Sequence, residues 1–331
     1  MRTLARITLV CGYALAPFLP QAALAAQADA SKYPTRPIRV IIAQSPGSSI
    51  DTMGRVVFSK MSELLKEQMV IDNRTGAGGT IGGGIVAHAE PDGYTLFAAA
   101  TASQVIGPQI YKSVTTYDPF RDFQAISQFA ITQNILAVNP TTPFKSVKDL
   151  VGYAKANPGK IRWSNAGSGF QSHLAGVLFT HMAGIEVLHV PYKGAGPSLN
   201  AAIAGETQVT FVPAPSVMGH VRSGRLRALA VGGEKRSEVA PELPTIIEAG
   251  VPGFVSSGWA GLMAPSRVPQ PIIKMLYATL HNAVNDPATN EAMKKVGAEP
   301  VVSTGPEFAA LIKTDWKNFG DAIRVAGLKP N

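Results

Sequence analysis

The chain has 331 residues, 46% hydrophobic and 16% charged, with 32 Gly and 25 Pro spread along it. That length spans about two domains that need no disulfide or metal staple, and the composition excludes a disordered tail, a coiled coil and a collagen-like repeat. Thirty basic against 22 acidic residues give a formal charge of +8, but they are scattered, and no basic stripe alternates with stacking aromatics, so no nucleic-acid partner is expected.

The N-terminus reads as an export signal. Arg2 and Arg6 precede an uncharged apolar stretch over residues 7–19, Pro20 breaks it, and Ala23-Leu24-Ala25 fits a small-x-small cleavage site. The stretch falls short of the roughly 20 apolar residues that span a bilayer. Cleavage after Ala25, or within 25–30, removes Cys11 and two positive charges and leaves +6. The expected product is a periplasmic, cysteine-free protein without thiolate metal sites.

From residue 38 onward, strand and helix alternate. Residues 38–43 form the β-branched run of a buried parallel strand, 45–49 a polar turn, and from Asp51 apolar residues recur at helical spacing to Leu65. A strand at 70–72, a glycine-rich stretch at 76–84, a helix around 85–89, a turn at 91–93 and a strand at 94–98 complete this block. A second block has a strand at 134–138 and a helix opened by Ser146, with Asp149 three residues on as its capping partner. It continues with strand 161–164, loop 165–169, helix 170–183, strand 187–190, helix 198–204 and strands 208–212 and 226–231. Beyond Pro252 come strand 258–264 and helices 271–284, 291–296 and 306–326. The alternation predicts an α/β fold of two lobes, each a mostly parallel sheet flanked by helices. Residues 33–130 and 258–331 are expected to form lobe 1, and 131–257 lobe 2. Two crossing strands, near 129–134 and 255–259, join them.

The glycine-rich stretch fails as a P-loop, because Ile85 rather than Lys-Ser/Thr follows Gly84. It fails as a dinucleotide fingerprint, because Ile81 stands where the third glycine belongs. It reads instead as a turn packed closely against a sheet. The six histidines include no i,i+4 pair and no G-x-S-x-G elbow occurs, so no metal, cofactor or catalytic set is expected. Two loops remain, 45–50 and 165–169, each small, polar and glycine-containing, each after a strand and before a helix. Open α/β sheets bind ligands at such loops, and the helix N-termini offer free N–H groups and positive dipole ends to an anion. Asp51, at a helix start, also reads as a cap.

A series of motifs runs in order through residues 33–331. It comprises Tyr33-Pro34-Thr35-Arg36-Pro37-Ile38, Pro46-Gly47 with Asp51, Asp72-Asn73-Arg74-Thr75-Gly76-Ala77-Gly78-Gly79 and Pro91-Asp92-Gly93-Tyr94-Thr95-Leu96. His173-Leu174-Ala175-Gly176, Val190-Pro191-Tyr192-Lys193-Gly194, Arg227-Ala228-Leu229-Ala230-Val231 and Glu248-Ala249-Gly250-Val251-Pro252-Gly253 follow. On these residues the chain resembles the Bug, or TctC, family of periplasmic solute-binding proteins that serve tripartite tricarboxylate transporters. The resemblance implies a clamshell without enzyme activity or cofactor. Such a receptor closes on a small carboxylate and delivers it to membrane permease subunits. It implies ligand contacts at Ser45, Pro46, Gly47, Ser48, Ser49 and Asp51 in lobe 1, and at Gly167, Ser168, Gly169, Gln171 and Tyr192 in lobe 2. Thr101 and Ser103, after a lobe 1 strand, are further candidates. The chain also departs from the family pattern. Ala43-Gln44-Ser45-Pro46-Gly47-Ser48 replaces the usual Pro-Phe-x-Pro-Gly-Gly, and Val212 stands where the family often has Asp. Without that acid a ligand ammonium would lie unpaired, so a dicarboxylate or aromatic carboxylate is expected over an amino acid. A sensor for a signalling kinase would use the same clamshell, and an enzyme on this fold is the remaining alternative.

Overall fold

The computed structural model of the chain describes residues 32–168, 170–325 and 327–328. The expected signal segment and the candidate Gly169 lie outside them. The first half contains β1 (Ile38–Ile42), α1 (Ser49–Leu65), β2 (Met69–Asn73), α2 (Thr80–Ala87) and β3 (Thr95–Ala100). The three strands are parallel, with β1 between β2 and β3. After β3 the chain turns through a π-helical segment, Ala102–Ile106, into a short helix α3 (Gly107–Ile110), then enters the 16-residue strand β4 (Phe123–Val138). The second half holds α4 (Val147–Ala156), β5 (Arg162–Asn165), α5 (Gln171–Ala183), β6 (Leu188–Pro191), α6 (Ala195–Ala204), β7 (Val209–Pro213), α7 (Ala214–Arg222) and β8 (Arg227–Val231). The chain then returns through β9 (Ser257–Pro265) to α8 (Gln270–Asn285), α9 (Pro287–Lys295), β10 (Glu299–Pro300) and α10 (Gly305–Val325).

The strand order is β2-β1-β3-β9-β4-β7-β5-β6, with β8 and β10 also paired to β4. β5 runs parallel to β6 and β7, while β4 runs antiparallel to β7, β8 and β9. The first part of β4 pairs with β9 and its last five residues pair with β7, so one strand serves both halves. The two segments expected to cross lie side by side, with Ile131 opposite Trp259, Thr132 opposite Gly258 and Gln133 opposite Ser257.

Each half buries apolar residues on both faces of its sheet, as continuous apolar strands require. In the first half Ile38, Val40 and Ile42 pack with Phe58, Leu262 and Leu276, while Ile41 and Phe97 on the opposite face pack with Phe123 and Phe308. In the second half Trp163, Phe179, Phe211 and Phe254 fill one face, and Leu199, Val212, Val217 and Val231 the other. A small cluster of Ile106, Ile110 and Ile323 with Leu174 of α5 joins the halves.

Local chemistry sets most element ends where the sequence puts them. Ser146 caps α4, accepting from the Asp149 N–H at 3.1 Å, and Asp149 accepts in return from the Lys145 N–H at 3.0 Å. The glycine-rich stretch packs closely: a Cβ on Gly79 would lie 2.5 Å from Ser103 Cβ, and one on Gly82 2.7 Å from Ala43 Cβ. It also turns helical earlier than expected, since α2 begins at Thr80. The sequence reading placed no helix over 102–110 or 214–222. Both carry helix-disfavouring residues, Gly107-Pro108 and Pro215, but in the first turn, where proline's missing N–H costs nothing.

Candidate functional site

Two adjoining cavities lie between the halves. The inner chamber, about 40 Å³, is lined from the first half by Ser49, Ile50 and Met53, from the crossing strands by Thr132 and Trp259, and from the second half by Gln171, Ser172, Val212 and Ser216. The outer cleft, about 320 Å³, is bounded by Ser45, Ser48, Thr75 and Tyr111 on one side and by Gly167, Ser168, Tyr192 and Lys193 on the other. Gln44, Ala166, Phe170 and Ala195 line both.

The chamber is built from helix beginnings. The first turns of α1, α5, α6 and α7 contribute Ser49, Gln171, Ala195 and Ser216 to its wall. Only α1 of these four carries a side-chain cap, Ser48, whose Oγ accepts from the Asp51 N–H at 3.4 Å. First-turn N–H groups have no partner within their helix, and each helix brings a positive dipole end. No Asp, Glu, Lys, Arg or His lines the chamber. Gln171 Nε2 and Ser216 Oγ are buried there without a hydrogen-bond partner, each residue 8% exposed. Such groups cost free energy unless something fills the space and accepts from them. The chamber therefore suits a group that only accepts hydrogen bonds and carries negative charge, and a carboxylate meets both conditions.

The loop after β1 is held by Asp51. Its carboxylate accepts from the Gly47 N–H at 2.9 Å, from Arg55 Nε and Nη2 at 3.0 Å, and from Asn73 Nδ2 at 3.1 Å. Burial alone would raise this carboxyl, but the Arg55, Gly47 and Asn73 bonds outweigh burial and hold it below the ordinary range. Across the cleft, Gly167 N–H donates to Asn165 Oδ1 at 3.0 Å, and Ser172 Oγ accepts from the Ala166 N–H at 3.0 Å. Two contacts bridge the halves at this level. Tyr111 Oη donates to the Ser168 carbonyl at 2.8 Å. Gly194, at φ +115, brings its backbone so near Ser45 that a Cβ would lie 2.8 Å from Ser45 Oγ.

The structure sorts the sequence candidates. Ser45, Ser48, Ser49, Gly167, Ser168, Gln171 and Tyr192 all come together around the two cavities. Pro46, Gly47 and Asp51 line neither, and the Gly47 N–H is already given to Asp51. Thr101 and Ser103 line neither cavity. Thr101 Oγ1 accepts from the Trp259 N–H at 3.0 Å, and Ser103 Oγ bonds both backbone groups of Ala100. They fix the turn after β3. Sequence reasoning did not name Thr132, Trp259, Ser172 or Ser216 as contacts. The strand–helix rule that found the two loops applies equally at β7–α7, and Pro215 just after that strand was the available signal. Val212, noted for its departure from the family, is 1% exposed and in the chamber wall.

The profile of a family described as Tripartite tricarboxylate transporter family receptor matches residues 53–328. BugT of Bordetella pertussis is 34% identical over 313 residues, which are 94% of this chain and 96% of BugT. The solved structure of R. palustris Rpa4515 with adipate is 30% identical with a TM-score of 0.87, covering 90% of this chain and 100% of that one. MatC from Rhodopseudomonas palustris with bound malate is 26% identical with a TM-score of 0.80, covering 88% of this chain and 100% of that one.

Proposed function

The chain belongs to the tripartite tricarboxylate transporter family of receptors, and on that footing we propose that it captures a small organic carboxylate outside the cytoplasm and delivers it to a tripartite membrane carrier. Residues 33–130 with 258–331, and residues 131–257, are its two closing lobes. The crossings near 129–134 and 255–259 act as the hinge, since a few residues suffice to absorb such a rotation. Residues 1–25 are a signal removed on export. No helix among the described residues is long and apolar enough to cross a membrane.

The observation that carries this reading is the convergence of four helix N-termini on a chamber without a charged side chain. A carboxylate there takes N–H groups, the Gln171 amide and the Ser216 hydroxyl, and closing the lobes brings donors from both sides to it. Ser45, Ser48, Ser49, Gly167, Ser168, Gln171 and Tyr192 are the ligand-facing residues retained from the sequence. The chamber offers no acid to an α-ammonium, which favours simple carboxylates over amino acids.

A thermal-shift screen of the mature protein tests this, with dicarboxylates, tricarboxylates, aromatic carboxylates, acidic amino acids and the matching amides. A ligand at about 100 times its Kd adds roughly 2.7 kcal/mol, a rise of about 4 °C for a chain this size. A shift with a carboxylate that disappears with its amide supports the reading. The absence of any carboxylate shift, repeated on protein unfolded, dialysed and refolded, rejects it.

A further inference from the structure

The two cavities differ in kind, and the difference bears on what the rest of the ligand must be. On the measure by which one water needs about 10–15 Å³, the inner chamber of about 40 Å³ has room for one carboxylate and little more. The remainder of any larger ligand extends into the outer cleft, which shares a wall with the chamber at Gln44, Ala166, Phe170 and Ala195. That cleft is lined by hydroxyls, glycine backbone and aromatic rings, together with one charged side chain, Lys193. Lys193 makes no salt bridge with any described carboxylate. It stands immediately before Gly194, whose position at the start of α6 brings no side-chain cap, so the ammonium and a helix dipole add at one place. An unopposed cation at the mouth of a cleft whose inner end already takes an anion is the arrangement for a ligand charged at both ends.

Resting on the carboxylate-receptor reading above, we propose that the ligand is a dicarboxylate. Its first carboxylate sits in the chamber, and its second lies in the outer cleft against Lys193, which selects dicarboxylates over monocarboxylates of equal length. Lys193 is a specificity residue here, and the chamber supplies the affinity common to both kinds of acid. The spacer lies between Phe170 and Tyr111, surfaces that accept either a methylene chain or a ring.

The test uses matched pairs on the mature protein by calorimetry: adipate against hexanoate, and terephthalate against benzoate. The expected result is that the dicarboxylate of at least one pair binds about tenfold tighter than its partner, as a partly desolvated ion pair allows. Lys193→Gln removes that preference while leaving the monocarboxylate within about twofold, and Lys193→Arg keeps most of it. The lysine side chain is exposed, so these variants keep the fold. Equal binding within both pairs, or a preference that survives Lys193→Gln, overturns the proposal and leaves the carboxylate reading standing. Failure of every mono- and dicarboxylate to bind overturns both.

Discussion

Gly194→Ala separates two effects that the structure places at one residue. At φ +115 and ψ 172, Gly194 occupies a region that is essentially glycine-only, and an alanine there costs about 1–3 kcal/mol whether the lobes are open or shut. With an unfolding entropy of about 2 cal/mol/K per residue, a chain this size loses about 2–5 °C in Tm. The second effect exists only in the closed form. The new Cβ would sit 2.8 Å from Ser45 Oγ across the cleft, and relief requires Ser45 to leave its rotamer, at about 1 kcal/mol. That share weakens ligand binding about fivefold without touching the open state. Calorimetric titration of the strongest carboxylate from the screen, on wild type, Gly194→Ala, Ser45→Ala and the double variant, isolates it. The double variant is expected to regain about 1 kcal/mol relative to the sum of the single changes, while its Tm stays low. Additive effects on affinity, within about 0.3 kcal/mol, would refute the claim that these two residues meet when the lobes close.

Three further outcomes are expected. Tyr111→Phe removes the hydroxyl that donates to the Ser168 carbonyl, so affinity falls about two- to tenfold through faster release, read by stopped-flow; an unchanged release rate would exclude Tyr111 as a cleft tie. Val212→Asp puts an unpaired carboxylate into a chamber that receives one, so dicarboxylate affinity falls by at least about tenfold while aspartate gains relative to succinate; calorimetry with both acids decides this. Burial, and then the neighbouring His173 ring, push His189 down to about 4 from an ordinary 6.5, so the fold keeps this imidazole neutral while the unfolded chain protonates it. Stability from this source is complete above pH 6.5 and is lost as pH falls toward 4. The loss is about 3 kcal/mol for a fully buried ring and about half that for this partly exposed one. Urea midpoints between pH 7 and pH 4 should fall more steeply in wild type than in His189→Gln, and parallel curves would argue against a buried neutral ring.

What the sequence determined by itself was local. β-branched runs at 38–43 and 134–138, the Ser146–Asp149 cap and Asp51 at a helix start depend on neighbours within a few positions, and each stands where composition and spacing put it. The two polar loops after strands were legible for the same reason, because the free N–H groups of the next helix follow from chain direction alone. The motif series placed the whole chain in its family, and the Val212 departure pointed into the chamber wall before any geometry was known. The sequence did not reveal that Thr101 and Ser103 spend their hydroxyls on backbone, nor that Trp259, Thr132 and Ser216 close the chamber. Nor could it bring Tyr111 to Ser168, 57 residues away, or Gly194 against Ser45. Those facts are distances between segments that meet only once β4 and β9 have carried the chain across and back. They were decided by packing of the two halves, because a hydroxyl's role is fixed by which partner lies within about 3 Å of it, and spacing along the chain does not encode that.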